Sequence, residues 1–392
     1  MKIIHTADWQ IGKPFGSIAD PDKRAAARKA RIDAVDRVAE HARAHDVDAV
    51  LVAGDLFDST GPERGAVLQT CAALGRIPCP VIVIPGNHDH GGPGSVWHQE
   101  YFRDALQQYA PRVIVALEPA PITLPGAVVF PCPLLRRSES FDATAWLRDG
   151  EVLRTAPVGT ARIILAHGTV LDFSGAASDA FITDEDADVG NVLDLAALPR
   201  TELDYVALGD WHGRRQVHAK AWYSGTHEPD RFPKGVDYAA GSVLLVDVQR
   251  GQAPVVQPLP SGTLHWHVVE RALHGADAVA DLRAHLFAYL GARVQEDLID
   301  LRLTGSISLT ARAVLDAVLA EFDALLLRFD VDDRTVLEPS DAEIEALTQR
   351  AADPMLARIA ARLHEEMRAG GADADDARLA LRELHRAVQE LS

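Results

Sequence analysis

Cysteine is scarce in this chain, with only Cys71, Cys79 and Cys132 in 392 residues. Three scattered cysteines cannot build a disulfide framework or a Cys-rich zinc site, and they read as buried, reduced thiols of a cytoplasmic protein. No apolar run approaches the roughly 20 residues that a membrane-spanning helix needs. Met1-Lys2 leads directly into a strand pattern, without the apolar stretch and cleavage site of a signal peptide. Together these absences predict a protein with no membrane association. No G-x-x-x-x-G-K-[ST] loop occurs, so any use of ATP would have to come from another chain. Fixed-period repeats are also missing. Positive charge is short as well: 39 basic residues face 57 acidic ones, a net charge of −18. A protein that grips DNA by itself usually carries a basic excess, so a nucleic-acid surface here must be local or lent by a partner. The acidic balance serves solubility equally well.

What is present fits an ordinary globular chain, 47% hydrophobic and 24% charged, long enough for two or three domains. Residues 2–8 read as a buried strand, 21–45 as a helix, 48–55 as a second buried strand, 62–75 as a helix and Val81–Ile84 as a third strand. This β-α-β-α-β alternation implies a layered α/β sheet covered by helices on both faces. A helix over 97–108 and short strands at 113–116 and 127–130 follow, then strands at 162–165, 204–208 and 241–248. The PLPSG segment at 258–262 reads as a linker. Beyond it, strands at 264–269, 298–303 and 326–331 mix with helices at 276–290 and 310–325, the pattern of a small α+β domain. From Ser340 the chain is helical and charged. One apolar stripe carries Leu356, Ile359, Leu363 and Met367; another carries Leu381, Leu384, Val388 and Leu391. Such stripes pack on their own domain or dock a partner helix.

The chemistry collects where strands end. Val81–Ile84 stops abruptly at Pro85-Gly86, and Asn87, His88 and Asp89 follow at once. Alone, this could be a polar turn. Four other buried strands also end in ligand-type residues: Asp8 and Gln10, Asp55 and Asp58, His167, and Asp210 with His212. In open α/β sheets ligands bind at such strand ends. Carboxylates and imidazoles brought together by buried strands need compensation, which divalent metals provide. An oxygen-rich set with some imidazole suits Mn, Fe or Mg better than a sulfur-bound metal.

At these residues the chain resembles the calcineurin-like metallophosphoesterases, whose pattern is D-x-H, GD-x-x-D, GNH-[DE], a lone His and GH-x-H. Within that superfamily it is similar to the SbcD-type DNA-repair nuclease subunits, through HTADWQIGK, AGDLFDST, IPGNHD, VALGDWH and WYSGTHEP in order. The resemblance implies a four-layer α/β/β/α metallophosphoesterase sandwich over residues 1–262. It further implies a small capping domain over 263–335, and the helical C-terminal region, 336–392, is a candidate for docking a partner. It also implies two divalent metals, manganese foremost with magnesium or iron as alternatives. Asp55 would bridge them, Asp8, Gln10 and His212 would complete one site, and Asn87, His167 and Asp210 the other. His88 would be the catalytic imidazole, Asp89 would orient it, and Asp58 would support the site. The implied activity is cleavage of DNA ends, in a homodimer of nuclease subunits bound to an SMC-like coiled-coil ATPase. The chain departs from the pattern twice, with Gln10 and Asp210 where the family has His. Both changes make the sites richer in oxygen, which favours Mn or Mg over softer metals.

Weaker signals surround this set. Arg214 and Arg215, with His218 and Lys220, could pass a phosphate backbone or be a solvated loop. Ser224 lies in a tight turn that the family resemblance puts near substrate. Arg136, Arg137 and the run from Lys23 to Arg31 read as exposed faces, and Trp9 and Trp211 as core packing or base-stacking groups. Two rival functions stay open: hydrolysis of a small phosphoester, and a metal-poor scaffold that docks an ATPase.

Overall fold

The computed structural model describes residues 1–171, 190–233, 238–274, 277–371 and 373–390. Its chain divides into two compact units, Met1–His265 and Trp266–Ser392.

The first unit alternates as its hydrophobic pattern requires: β1 (Lys2–Thr6), α1 (Pro21–Ala44), β2 (Ala49–Ala53), α2 (Arg64–Gly75), β3 (Val81–Ile84), α3 (Glu100–Tyr109) and β4 (Val113–Val115). Helix α1 starts where Asp20 accepts hydrogen bonds from the N–H groups of Asp22 and Lys23, with Pro21 in the first turn. A second run follows, with β5 (Ile122–Leu124), β6 (Ala127–Cys132), the short helix α4 (Glu151–Arg154), β7 (Ala161–His167), β8 (Thr169–Val170) and β9 (Val192–Leu193). Then come β10 (Tyr205–Gly209), β11 (Arg215–His218), β12 (Ala221–Tyr223), β13 (Ser242–Asp247) and β14 (Val255–Pro260).

Two six-stranded sheets result, ordered β14-β13-β1-β2-β3-β4 and β11-β12-β10-β7-β6-β5. In the first, β1, β2, β3 and β4 run parallel; in the second, β6, β7, β10 and β12 do. Segment 255–260 is therefore not a linker. It pairs antiparallel with β13 from Val255 to Pro260 and forms the outer strand of the first sheet. Its two prolines suit an edge, where no neighbour needs their missing N–H.

Alternation along each strand builds three apolar layers. Ile3, Leu51, Ile82 and Ile84 pack between the sheets against Val129, Ile163, Leu165 and Ala207. Their neighbours Ile4, Val50, Val52, Val81 and Val83 face outward onto Val35, Val38, Val67, Leu74 and Phe102 of α1, α2 and α3. On the far side, Phe130, Ile164, Val206 and Leu208 pack with Leu147, Leu153 and Leu198. Strands buried on both faces read as unbroken apolar runs, as these do in the sequence. The order of layers is the expected α/β/β/α sandwich. All three cysteines are buried free thiols, and burial pushes Cys71 and Cys132 up to about 12.

The second unit contains β15 (Trp266–Leu273), α5 (Ala278–Leu290), β16 (Leu298–Ile307), α6 (Leu309–Leu325), β17 (Arg328–Asp333) and β18 (Val336–Leu337). Its strands pair in parallel. Ile299, Leu301 and Leu303 pack with Leu282, Leu286, Leu315 and Phe322 of the two helices, while Arg302 on the same strand pairs with Asp300 and Glu270. Three helices end the chain: α7 (Asp341–Thr348), α8 (Pro354–Ala369) and α9 (Ala374–Glu390). Leu356, Leu363, Met367, Leu381, Leu384 and Val388 from the two stripes pack together around Ala360, whereas Ile359 is 43% exposed. Leu391 lies outside the described residues. Among the described residues no helix is long and apolar enough to cross a membrane.

The layers make a simple prediction. Leu51 is fully buried between the sheets and Leu68 on α2 is 45% exposed. Leu51→Ala is expected to lower the unfolding free energy by about 2–5 kcal/mol, and Leu68→Ala by no more than about 0.5 kcal/mol. Urea denaturation of the two variants checks the difference.

Candidate metal centre

The parallel strands of both sheets end at one edge, and the residues beyond their last hydrogen bonds meet there. Asp8 and Gln10 follow β1, Asp55 follows β2, Asn87 and His88 follow β3, His167 closes β7, and Asp210 and His212 follow β10. The loops are joined as well: the N–H of Asp8 donates to Gly54 O at 3.1 Å, that of Gln10 to Asp55 O at 2.8 Å, and that of Ile11 to Leu56 O at 2.9 Å.

Holding these groups costs backbone strain. Asp8, Gln10, Asp55 and Asp210 have φ values of 54°, 39°, 54° and 105°, a region side chains rarely occupy unless the surroundings impose it. The glycines before them answer to crowding. A Cβ on Gly86 would lie 2.1 Å from Asp55 Oδ1, one on Gly54 2.2 Å from His167 Nδ1, and one on Gly209 1.9 Å from Ala53 O. The Gly of Gly-Asp and of Gly-Asn-His is thus what lets these carboxylates and rings approach so closely.

One oxygen each of Asp8 and Asp55 and one ring nitrogen of His167 lie within 4.8 Å of one another. His167 Nε2 is 3.2 Å from Asn87 Oδ1 and 3.7 Å from both Asp55 Oδ1 and Asp210 Oδ1. Its Nδ1 donates to Ala53 O at 2.8 Å, which fixes the ring and turns Nε2 toward the acids. His212 is held the same way, with Nδ1 3.0 Å from Asp230 Oδ2, and His88 Nδ1 lies 3.1 Å from Asp58 O. Burial pushes the Asp8 carboxyl well above the usual carboxylate range, His167 opposing and Asp55 and Asp210 adding to it. Burial likewise raises Asp210. Burial alone would lower His167, but Asp55, Asp8 and Asp210 together raise it to about 9. Without a metal the cluster keeps protons to offset its carboxylates, which is the electrostatics of a cation site.

Several residues stand elsewhere than the sequence suggests. Asp89 does not orient the His88 ring: its two oxygens accept from the N–H groups of Gly86 at 2.8 Å and Phe57 at 3.0 Å, tying together the loops after β2 and β3. Burial pushes this carboxyl up to about 7. Gln10 offers its NH2 to Asp55 Oδ2 at 3.4 Å, and its carbonyl oxygen accepts from Lys13 Nζ at 2.9 Å. Ser224 is buried with its hydroxyl on Gly225 O. Arg214 donates to Ser242 Oγ, and Arg215 borders a separate cavity with Val170, Leu198 and Lys220. Trp9 is core, donating to Thr6 Oγ1 and stacked on His227; Trp211 packs beside the outer apolar layer of the second sheet. A pocket of about 640 Å³ opens beside His88, lined by Lys13, Asp58, Asn87, His90, Arg137 and Asp230 among others.

Two residues that sequence reasoning missed hold the centre. Arg31, read as part of an exposed run, is 1% exposed. It donates to the backbone oxygens of Trp9, Asp8 and Glu228 at 2.8–2.9 Å and to Thr226 Oγ1 at 3.0 Å. Asp230 is buried against His212, Lys13 and Arg231. A buried-face position, Arg31 at helical spacing from Ala27, Ala34 and Val35, was the available sign for the first; the Asp directly after WYSGTHEP was the sign for the second.

The calcineurin-like phosphoesterase family matches residues 1–218, more than half of the chain and all of the strand ends described above. The chain belongs to this family. Its members are phosphoester hydrolases that use divalent metals, and the Asp8, Asp55 and His167 cluster fits that chemistry. Among curated proteins the chain is similar to the SbcD component of the nuclease SbcCD from Escherichia coli K12 and from Escherichia coli O157:H7, each 33% identical over 156 residues. Those matches cover 38% of this chain and 36% of each relative, so the likeness spans about a third of the relatives' length.

The crowding at Gly86 makes a prediction for this phosphoesterase. A Gly86→Ala side chain must displace the Asp55 carboxylate, and metal affinity is expected to fall by about 10–100-fold. Calorimetric titration with Mn(II) measures the loss, and unchanged far-UV circular dichroism would show that the sandwich persists.

Proposed function

We propose that this chain is a metal-dependent phosphodiesterase that cleaves DNA ends, and that it works as the nuclease subunit of a cytoplasmic complex with an SMC-like coiled-coil ATPase, its nuclease subunits paired as a homodimer. The carrying observation is the meeting of Asp8, Asp55, Asn87, His167 and Asp210 at one edge, with His88 beside them. The likeness to a subunit of the SbcCD nuclease supports nuclease activity and assembly with another subunit. The net charge of −18 suits a subunit that borrows its grip on DNA.

Two divalent ions are the proposed cofactors, manganese or magnesium by the oxygen-rich donors. By the family resemblance Asp55 would serve both ions, Asp8, Gln10 and His212 would hold one, and Asn87, His167 and Asp210 the other. Bound there, such ions activate water and stabilise charge on the phosphoryl oxygens. The protein's own groups do the remaining work. Asp58 O and the Asp55 carboxylate, which accepts from the His88 N–H at 3.0 Å, fix His88 at the pocket wall. From there His88 donates a proton to the leaving oxygen as its bond to phosphorus breaks and water oxygen bonds to phosphorus. Lys13, His90 and Arg137 line the path by which a phosphate would enter. Asp89 anchors the loop that carries His88.

Mn-dependent cleavage of linear DNA is the test, and His88→Ala should lower it by about 10²–10⁴-fold. The modest pocket, about 640 Å³, suits the rival substrate, a small phosphoester. Fast turnover of small diesters with inert DNA would establish that rival, and inactivity with every metal would establish the scaffold. Proton linkage gives a second expectation. His167 stands at about 9 in the metal-free protein, and a ligating imidazole must be neutral. Metal binding at neutral pH therefore releases protons, and affinity for Mn(II) should rise from pH 7 to pH 9. Titrations in buffers of different ionisation enthalpy measure the release.

A further inference from the structure

The two halves of the metal centre are unlike, and the difference lies in Lys13. An ammonium can only donate hydrogen bonds and a carboxylate can only accept them, so the Gln10 amide is oriented from both ends. Its oxygen belongs to Lys13 Nζ at 2.9 Å, and its NH2 faces Asp55 Oδ2 at 3.4 Å. The Gln10 oxygen already accepts from an ammonium, which weakens it as a ligand for a cation, and the group turned to Asp55 is a donor.

Lys13 is itself fixed. The turn from Gln10 closes with the Lys13 N–H on Gln10 O at 3.1 Å, Gly12 taking φ of +97° between them. Lys13 Nζ then meets Asp230 Oδ2 at 2.7 Å. Asp230 is fully buried at its side chain, and the same oxygen holds His212 Nδ1 at 3.0 Å. One carboxylate thus positions both the His212 ring and an ammonium that lies beside it. The opposite half has gained an anion: Asp210 Oδ1 faces His167 Nε2, and Thr169 Oγ1 donates to Asp210 Oδ2 at 2.8 Å.

We propose that the centre is asymmetric: the cluster of Asp8, Asp55, Asn87, His167 and Asp210 holds one resident divalent ion, while on the His212 side the Lys13 ammonium, seated on Gln10 and Asp230, stands in for the charge of a second ion and keeps that position weak. The inference rests on the reading that this edge binds divalent metal. It concerns how many ions the chain carries, which activity alone does not report.

Metal-free full-length protein titrated with Mn(II), with ions counted by native mass spectrometry and their coupling read by electron paramagnetic resonance, is the test. One tight ion per chain is expected, with the isolated six-line Mn(II) signal and a second event about 100-fold weaker. The double variant Lys13→Met/Gln10→His should bind two ions within about tenfold of each other and show a spin-coupled pair. Gln10→His alone leaves the Lys13–Asp230 contact in place and should strengthen the weak event by about tenfold. Two ions of equal affinity in the unaltered protein, or a second event that neither variant strengthens, would overturn the asymmetry. No Mn(II) bound by the unaltered protein would overturn the metal reading beneath it as well.

Discussion

Everything at the working edge of this protein follows from forcing the buried Asp8 and Asp55 and the partly exposed Asp210 into one cluster around His167. Like charges in a low dielectric repel, and each carboxylate loses its water besides. The fold meets that cost in three ways. Its β1, β2 and β10 ends adopt strained, positive φ, its Gly54, Gly86 and Gly209 leave no Cβ in the way, and its Arg31 guanidinium clamps the backbone of Asp8 from beneath. None of these is explained by packing alone. They are the signs of a site whose occupant completes the charge balance.

The histidines show how the two sheets cooperate in this. His167 from the second sheet donates to Ala53 of the first, His212 is set by Asp230 from a later loop, and His88 is set by Asp58 from the loop after β2. Each ring uses Nδ1 for an oxygen supplied by a different segment, which leaves Nε2 for the centre. The interlocking makes the geometry a property of the whole sandwich. A shift between the sheets would move His167 off Ala53 and off Asn87 together.

Much of this was legible in the sequence, because its informative signals are local. Apolar runs of four to seven residues announced β1, β2, β3, β7 and β10, and the polar residues just after each run lie at one edge of the sheets. What stayed hidden was long-range. Arg31 meets Glu228 across 197 positions, and Asp230 meets Lys13 across 217; no spacing rule links such pairs. The segment Val255–Pro260 looked like a linker because its prolines break a strand pattern, yet an edge next to β13 accepts them. Asp89 sits beside His88 in sequence, but the turn after β3 sends its carboxylate back to Gly86 and Phe57. Adjacency in sequence was a poor guide to contact there.

The two departures from the family pattern make most sense together. Replacing imidazole by Asp210 adds one negative charge to a cluster that already strains to hold its carboxylates. Replacing imidazole by Gln10 adds none, but gives Lys13 an acceptor inside the site. Around Asp230, Lys13 and Arg231 bring two cations to one buried carboxylate. Either change alone would disturb the charge balance of the edge: Asp210 without Lys13 over-charges it, and Gln10 without Lys13 merely loses a ligand. As a pair they move negative charge toward His167 and positive charge toward His212, and the polarity of the centre follows from that transfer.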